Sequence, residues 1–114
     1  MVAHNLASWD HVESILRHER ANEGQGDRLL TLVARLRADG FDRRLVARRT
    51  WRAPLVLART HTRAIGARDP VVAFVCHDDR IVAFFGTCDS FRACSIDGDR
   101  LPVQLTKALS MLAG

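Results

Sequence analysis

The chain has 114 residues, 47% of them hydrophobic and 26% charged, with a formal net charge of +4. That length is enough for one domain with a single apolar core, and the composition excludes a disordered or fibrous chain. No apolar run approaches the ~18 residues of a membrane-spanning helix, and no membrane partner is expected.

The start, "MVAHNLASWDHVESIL", has neither the basic beginning nor the apolar middle of a secretory signal, and the expected location is the cytoplasm. Three cysteines in a chain of this size do not form a disulfide framework, so free thiols are expected. The charge is unevenly spread. Residues 1–34 carry three arginines against five carboxylates, residues 35–68 ten arginines against Asp39 and Asp42, and residues 69–114 four cations against six aspartates. A basic middle lies between two mildly acidic ends.

In chain order, Trp9, Val12, Ile15 and Leu16 recur at helical spacing, and Asp10 with Glu13 has the form of a helix-starting cap. "EGQG" at 23–26 should end this first helix. Asp27 opens a second, with Leu29, Leu32, Val33 and Leu36 as one stripe, Gly40 just beyond its end and Phe41 packing back on its last turn. The short link makes the two helices an antiparallel pair.

"RRLVARRTW" and "LVLARTHTR" read as two strands, 44–51 and 55–62, turning at 52 and 53. Pro54 offers the alternative of a helix over 54–65. Beyond "DP" at 69–70, the runs "VVAFVC", "RIVAFFG" and "FRACSI" are separated by "HDD" and "TCDS", which predicts a three-stranded antiparallel meander. Pro102 should open a closing helix that carries Leu101, Leu105, Ala108, Leu109 and Leu112 on one side. The expected architecture is a single α+β domain over 1–114. It consists of an N-terminal antiparallel helix pair, a meander of three to five strands and a C-terminal helix packed on the sheet.

Turns at 77–80 and 87–90 would set Cys76 opposite Ile81 and Gly86 opposite Phe91. Phe74, Cys76, Ile81, Ala83, Phe85, Cys94 and Ile96 then share one face. Val71, Ala73, Val75, Val82, Phe84, Phe91 and Ala93 share the other. Both faces are apolar, so both need cover, and a homodimer burying Val82, Phe84 and Phe91 is one expected source. In this register Cys76 and Cys94 are two strands apart, about 10 Å, too far for a disulfide. Spacings of eleven and five residues among Cys76, Cys88 and Cys94, with no histidine pair, do not form a zinc set. Cys76 and His77 point to opposite faces and cannot act as a nucleophilic pair. No metal and no cofactor is expected.

The most informative group is arginine-rich: Arg43, Arg44, Arg48, Arg49, Arg52, Arg59, Arg63 and Arg68. A hairpin turning at 52 and 53 would gather Arg44, Arg48, Arg52, Arg59, His61 and Arg63 on one face. Leu45, Ala47, Trp51, Val56 and Ala58 would lie on the other, with Arg49 an exception. Guanidinium groups fork onto phosphates and carboxylates, so this ribbon would hold a polyanion. The alternative is a solvated edge kept soluble by its charge.

No phosphate-binding loop, nucleophile elbow or zinc-protease motif is present. The expected function is a small non-enzymatic regulator or inhibitor docking on an anionic macromolecule, nucleic acid or acidic protein. The order of two helices, antiparallel sheet and basic surface also resembles RelE/ParE-type toxins, although the N-terminal strand of that family is missing. That resemblance implies a small ribonuclease using Arg48, Arg52, Arg59 and His61.

Overall fold

The computed structural model describes residues 2–23, 26–50, 53–59, 66, 68–77, 80–87, 89–97 and 100–114, and the side chains of all these except 20–23 and 26. Helices α1 (Val2–Glu23), α2 (Gly26–Ala38) and the short α3 (Phe41–Arg44) precede five strands. These are β1 (Val46–Arg48), β2 (Leu55–Ala58), β3 (Val71–His77), β4 (Arg80–Gly86) and β5 (Phe91–Ile96), and α4 (Val103–Ala113) closes the chain. The strands form one sheet in the order β1-β2-β3-β4-β5, antiparallel throughout. The fold is α+β, with helices on either side of a five-stranded meander in sequence. Among the described residues, no helix is long and apolar enough to cross a membrane.

The core follows from strand alternation. Ala47, Leu55, Leu57, Val72, Phe74, Ile81, Ala83 and Ile96 are buried on one sheet face, against Trp9, Val12 and Leu16 of α1, the α2 stripe, and Leu105, Leu109 and Leu112 of α4. All the long helices therefore roof the same face. The meander register matches the expected one, with Cys76 opposite Ile81 and Gly86 opposite Phe91. The face assignments of β3, β4 and β5 follow from it. Cys76 and Cys94 are free thiols, separated by β4. Burial raises both thiol pKa values, partly offset at Cys76 by the charge of Arg28. Cys88 lies outside the described residues.

Gly86 has φ +128°, and a Cβ there would lie 2.5 Å from the carbonyl oxygen of Ser90, so the β4–β5 turn requires glycine. The turn is closed by reciprocal backbone bonds between Thr87 and Ser90 at 3.0 and 3.2 Å.

Three local expectations are corrected. First, α1 begins at Val2, so Asp10 lies inside the helix rather than capping it. Leu6 sits one turn before Trp9 and Asp10, and it already continues the apolar stripe. Second, residues 41–44 are helical, so the first strand starts at 46 and not at 44. Third, the first hairpin pairs Val46 with Ala58, Ala47 with Leu57 and Arg48 with Val56, one residue away from the expected register. Its turn is tied by the Thr50 N–H to the Ala53 carbonyl (3.0 Å) and the Ala53 N–H to Thr50 Oγ1 (3.1 Å). A one-residue slip exchanges the two faces of β2. Residues 55–58 are extended, so the alternative helix from Pro54 does not form there.

Candidate functional site

The slipped register rearranges the arginine ribbon. Arg48 stays on the outer face, opposite Val56, with Val46 and Ala58. Arg59 continues the other parity of β2, that of Leu55 and Leu57, and so reaches the helix layer. There its Nε donates to the Leu112 carbonyl (2.8 Å) and its Nη2 to the Met111 carbonyl (3.0 Å). These are last-turn carbonyls of α4, of which that of Met111 also accepts from the Gly114 N–H (3.3 Å), and a cation suits that end of the helix dipole. Arg59 is thus a C-terminal clamp on α4, on the opposite face from Arg48. The expectation that both share one binding face is overturned.

Arg44 is not on a strand. It ends α3 and is exposed, as is Arg43 beside it. The two line a polar cleft of about 430 Å³ with Leu6, Arg37, Gly40 and Asp42. Arg48 follows at half exposure on β1. Arg52, His61 and Arg63 lie outside the described residues, as does Trp51. Arg43, Arg44 and Arg48 therefore remain together at one end of the sheet, and Arg59 leaves the group.

Why these three are accessible follows from how the β1 edge is built. Trp9 Nε1 donates to the Leu45 carbonyl (2.9 Å), and the Asn5 amide donates to the Arg43 carbonyl (2.8 Å). Ser8 Oγ donates to the Asn5 carbonyl (2.6 Å) and accepts from the Ala47 N–H (3.0 Å). Helix α1 thus grips the backbone of residues 43–47 and leaves the arginine side chains outside. Arg49, on the parity of Ala47, points to the helix layer and pairs with Glu19 of α1 at 2.6 Å. That contact holds the Glu19 carboxyl below its ordinary value, and it explains why Arg49 did not fit the outer face.

One arginine with no assigned role in the sequence proves central to the structure. Arg37 of α2 meets Asp10 (2.9 Å) and Glu13 (2.9 Å) of α1 and Asp42 (3.0 Å) of α3. Burial opposes the guanidinium charge, but the three carboxylates outweigh it and hold Arg37 more firmly protonated than usual. Two of the partners lie 27 and 24 residues away, so no local pattern announces them. Only the Asp42 contact, five residues away, is near the reach of a helical pattern.

Charge bookkeeping then separates two kinds of arginine. Arg17, Arg35, Arg37 and Arg49 each pair with a carboxylate, and Arg59 holds carbonyls. Arg43, Arg44 and Arg48 meet no carboxylate among the described residues. No group of three or more His, Cys, Asp or Glu that could hold a metal occurs among the described residues.

On the outer face, Phe84 and Phe91 form an edge-to-face pair with centroids 5.7 Å apart. A cleft of about 260 Å³ lies beside them, lined by Ala53, Val71, Ala73 and Val75. Phe91 is 59% exposed, while Val82 and Phe84 are half-buried.

No family model, no curated protein and no solved structure matches this chain. The likeness to RelE/ParE-type toxins therefore rests on element order alone.

Proposed function

We propose that this chain is a small non-catalytic regulatory or inhibitory module that docks on an anionic partner, a nucleic-acid backbone or an acidic protein surface, through arginines of the 43–68 segment. The observation that carries the reading is the leftover charge. Arg43, Arg44 and Arg48 lie together at one end of the sheet and meet no carboxylate among the described residues, whereas Arg17, Arg35, Arg37 and Arg49 are each paired with one. A guanidinium left in water contributes little to folding and is free to fork onto phosphate or carboxylate. Arg52 and Arg63 belong to the same stretch of sequence and add to its charge. Pairing of two copies through Val82, Phe84 and Phe91 of the outer face belongs to the same reading, with the exposure of Phe91 in its support. Sedimentation velocity showing a monomer at every concentration would remove that part.

Fluorescence anisotropy at low salt tests the main claim, with labelled single-stranded RNA, DNA of equal length and polyglutamate as probes. At least one probe should bind. Combining Arg44→Gln, Arg48→Gln and Arg52→Gln should weaken that binding at least about tenfold with the fold intact. Recovered RNA should be uncut. Cleavage that His61→Ala abolishes would establish the ribonuclease reading instead, and failure of all three probes would reject docking.

A further inference from the structure

The far edge of the sheet has a different character from the arginine-bearing end. Strand β5 is last in the sheet order, and among the described residues no strand pairs with its outer side. Phe91, Arg92, Ala93 and Ser95 are exposed, so its outward backbone groups are open to a new strand. Alongside, between β5 and α4, runs a groove of about 780 Å³. Phe85 is part of its floor, and Arg92 and Lys107 rise from its two banks. Val103 and Met111 of α4 line it too, at 73% and 75% exposure. No carboxylate lines this groove, and neither Arg92 nor Lys107 meets one among the described residues.

We infer that this edge is a docking site for an extended peptide of alternating acidic and apolar residues, which adds to the sheet beside β5. The inference is independent of Arg43, Arg44 and Arg48, which lie at the opposite edge strand. The pattern of the peptide follows from strand alternation. A strand laid against β5 sends every second side chain to the helix face, beside Arg92 and Lys107, where carboxylates are favoured. The intervening side chains continue the outer face beside Phe91 and Ala93, where apolar groups are favoured. Charge complementarity selects this occupant over a second copy. Two β5 edges brought together would bring the Arg92 and Lys107 of both copies close, cation against cation.

Selection from a random twelve-residue phage-displayed peptide library, followed by titration of the best synthetic peptide, tests the proposal. The enriched sequences should alternate acidic and apolar residues. The peptide should shift the backbone amide resonances of residues 91–96. Arg92→Glu combined with Lys107→Glu should weaken its binding at least about tenfold, with an unchanged circular dichroism spectrum. The triple replacement of Arg44, Arg48 and Arg52 by Gln should leave the affinity unaltered. Absence of enrichment, enriched peptides without acidic residues, or shifts confined to the outer face or to residues 43–48 would each overturn the proposal. So would a dimer in sedimentation velocity that the Arg92/Lys107 variant dissociates, since a second copy would then occupy the edge.

Discussion

The two edges of the sheet solve opposite problems. Strand β1 has three residues, and helix α1 holds the backbone around it through Asn5, Ser8 and Trp9. Strand β5 has six residues and is largely exposed. At the β1 edge, structure is fixed by backbone grips and by side chains that reach inward, so outward arginines are spare. At the β5 edge, the backbone itself is the open feature, guarded by charge. The comparison teaches that an arginine-rich segment is not one surface. Alternation and register decide which guanidinium groups are consumed by the fold.

The largest expected effect breaks the grip on β1. Trp9 is fully buried and also bonds the Leu45 carbonyl, so Trp9→Ala should cost about 3–5 kcal/mol. Phe91→Ala at the open edge should cost well under half of that, because much of the ring is already in water. Urea denaturation of both variants measures the difference. Equal costs would mean that the edges are not built differently.

Next comes the three-carboxylate contact. Arg37→Met leaves Glu13 and Asp42, both largely shielded, without their guanidinium, and should cost about 1–3 kcal/mol. Lys at this position should recover only part of the loss, since one ammonium cannot fork to three carboxylates from the same geometry. A midpoint unchanged by Arg37→Met would show that the contact is only incidental surface pairing.

The smallest effect is acid-dependent. The Glu19 carboxyl titrates below its ordinary value in the folded chain because Arg49 bonds it. Its contribution is complete above the ordinary carboxylate range and is lost as pH falls through the lowered folded value. Arg49→Gln should therefore narrow the stability gap between neutral and acid solution, by a small amount because both side chains are partly solvated. Thermal melts across that range should show the two chains converging on acidification. Parallel curves would remove the pair from the account.

How much of this was legible in the sequence differs by region for physical reasons. The β3–β4–β5 meander was legible because near-continuous apolar runs are separated by short polar turns, whose positions set which residues pair. Gly86 and Phe91 then had only one workable pairing. The first hairpin was not, because "TWRAP" allows more than one turn position and arginines are tolerated on either side of a short edge. One residue of slip moved Arg59 from the expected ribbon to the end of α4. Arg44 was misplaced because "FDRR" carries no strand alternation to set against the helical turn it forms. The Arg37 contact was barely legible, since two of its three partners, Asp10 and Glu13, come from another helix 27 and 24 residues away.

The salt dependence of partner binding tests the central claim most directly, namely that arginines around β1 are spare while Arg59 is spent on the fold. Affinity for the bound probe is measured from low to high salt for the parent chain, for Arg59→Gln, and for the combined Arg44→Gln, Arg48→Gln and Arg52→Gln replacement. The account predicts that the triple replacement flattens the slope of log affinity against log salt by about one unit per lost phosphate contact, without lowering Tm. It predicts the reverse for Arg59→Gln, a lowered Tm from the loss of the α4 clamp with an unchanged slope. A triple variant that binds as tightly and as salt-sensitively as the parent, or an Arg59→Gln variant that loses binding at full stability, would contradict it.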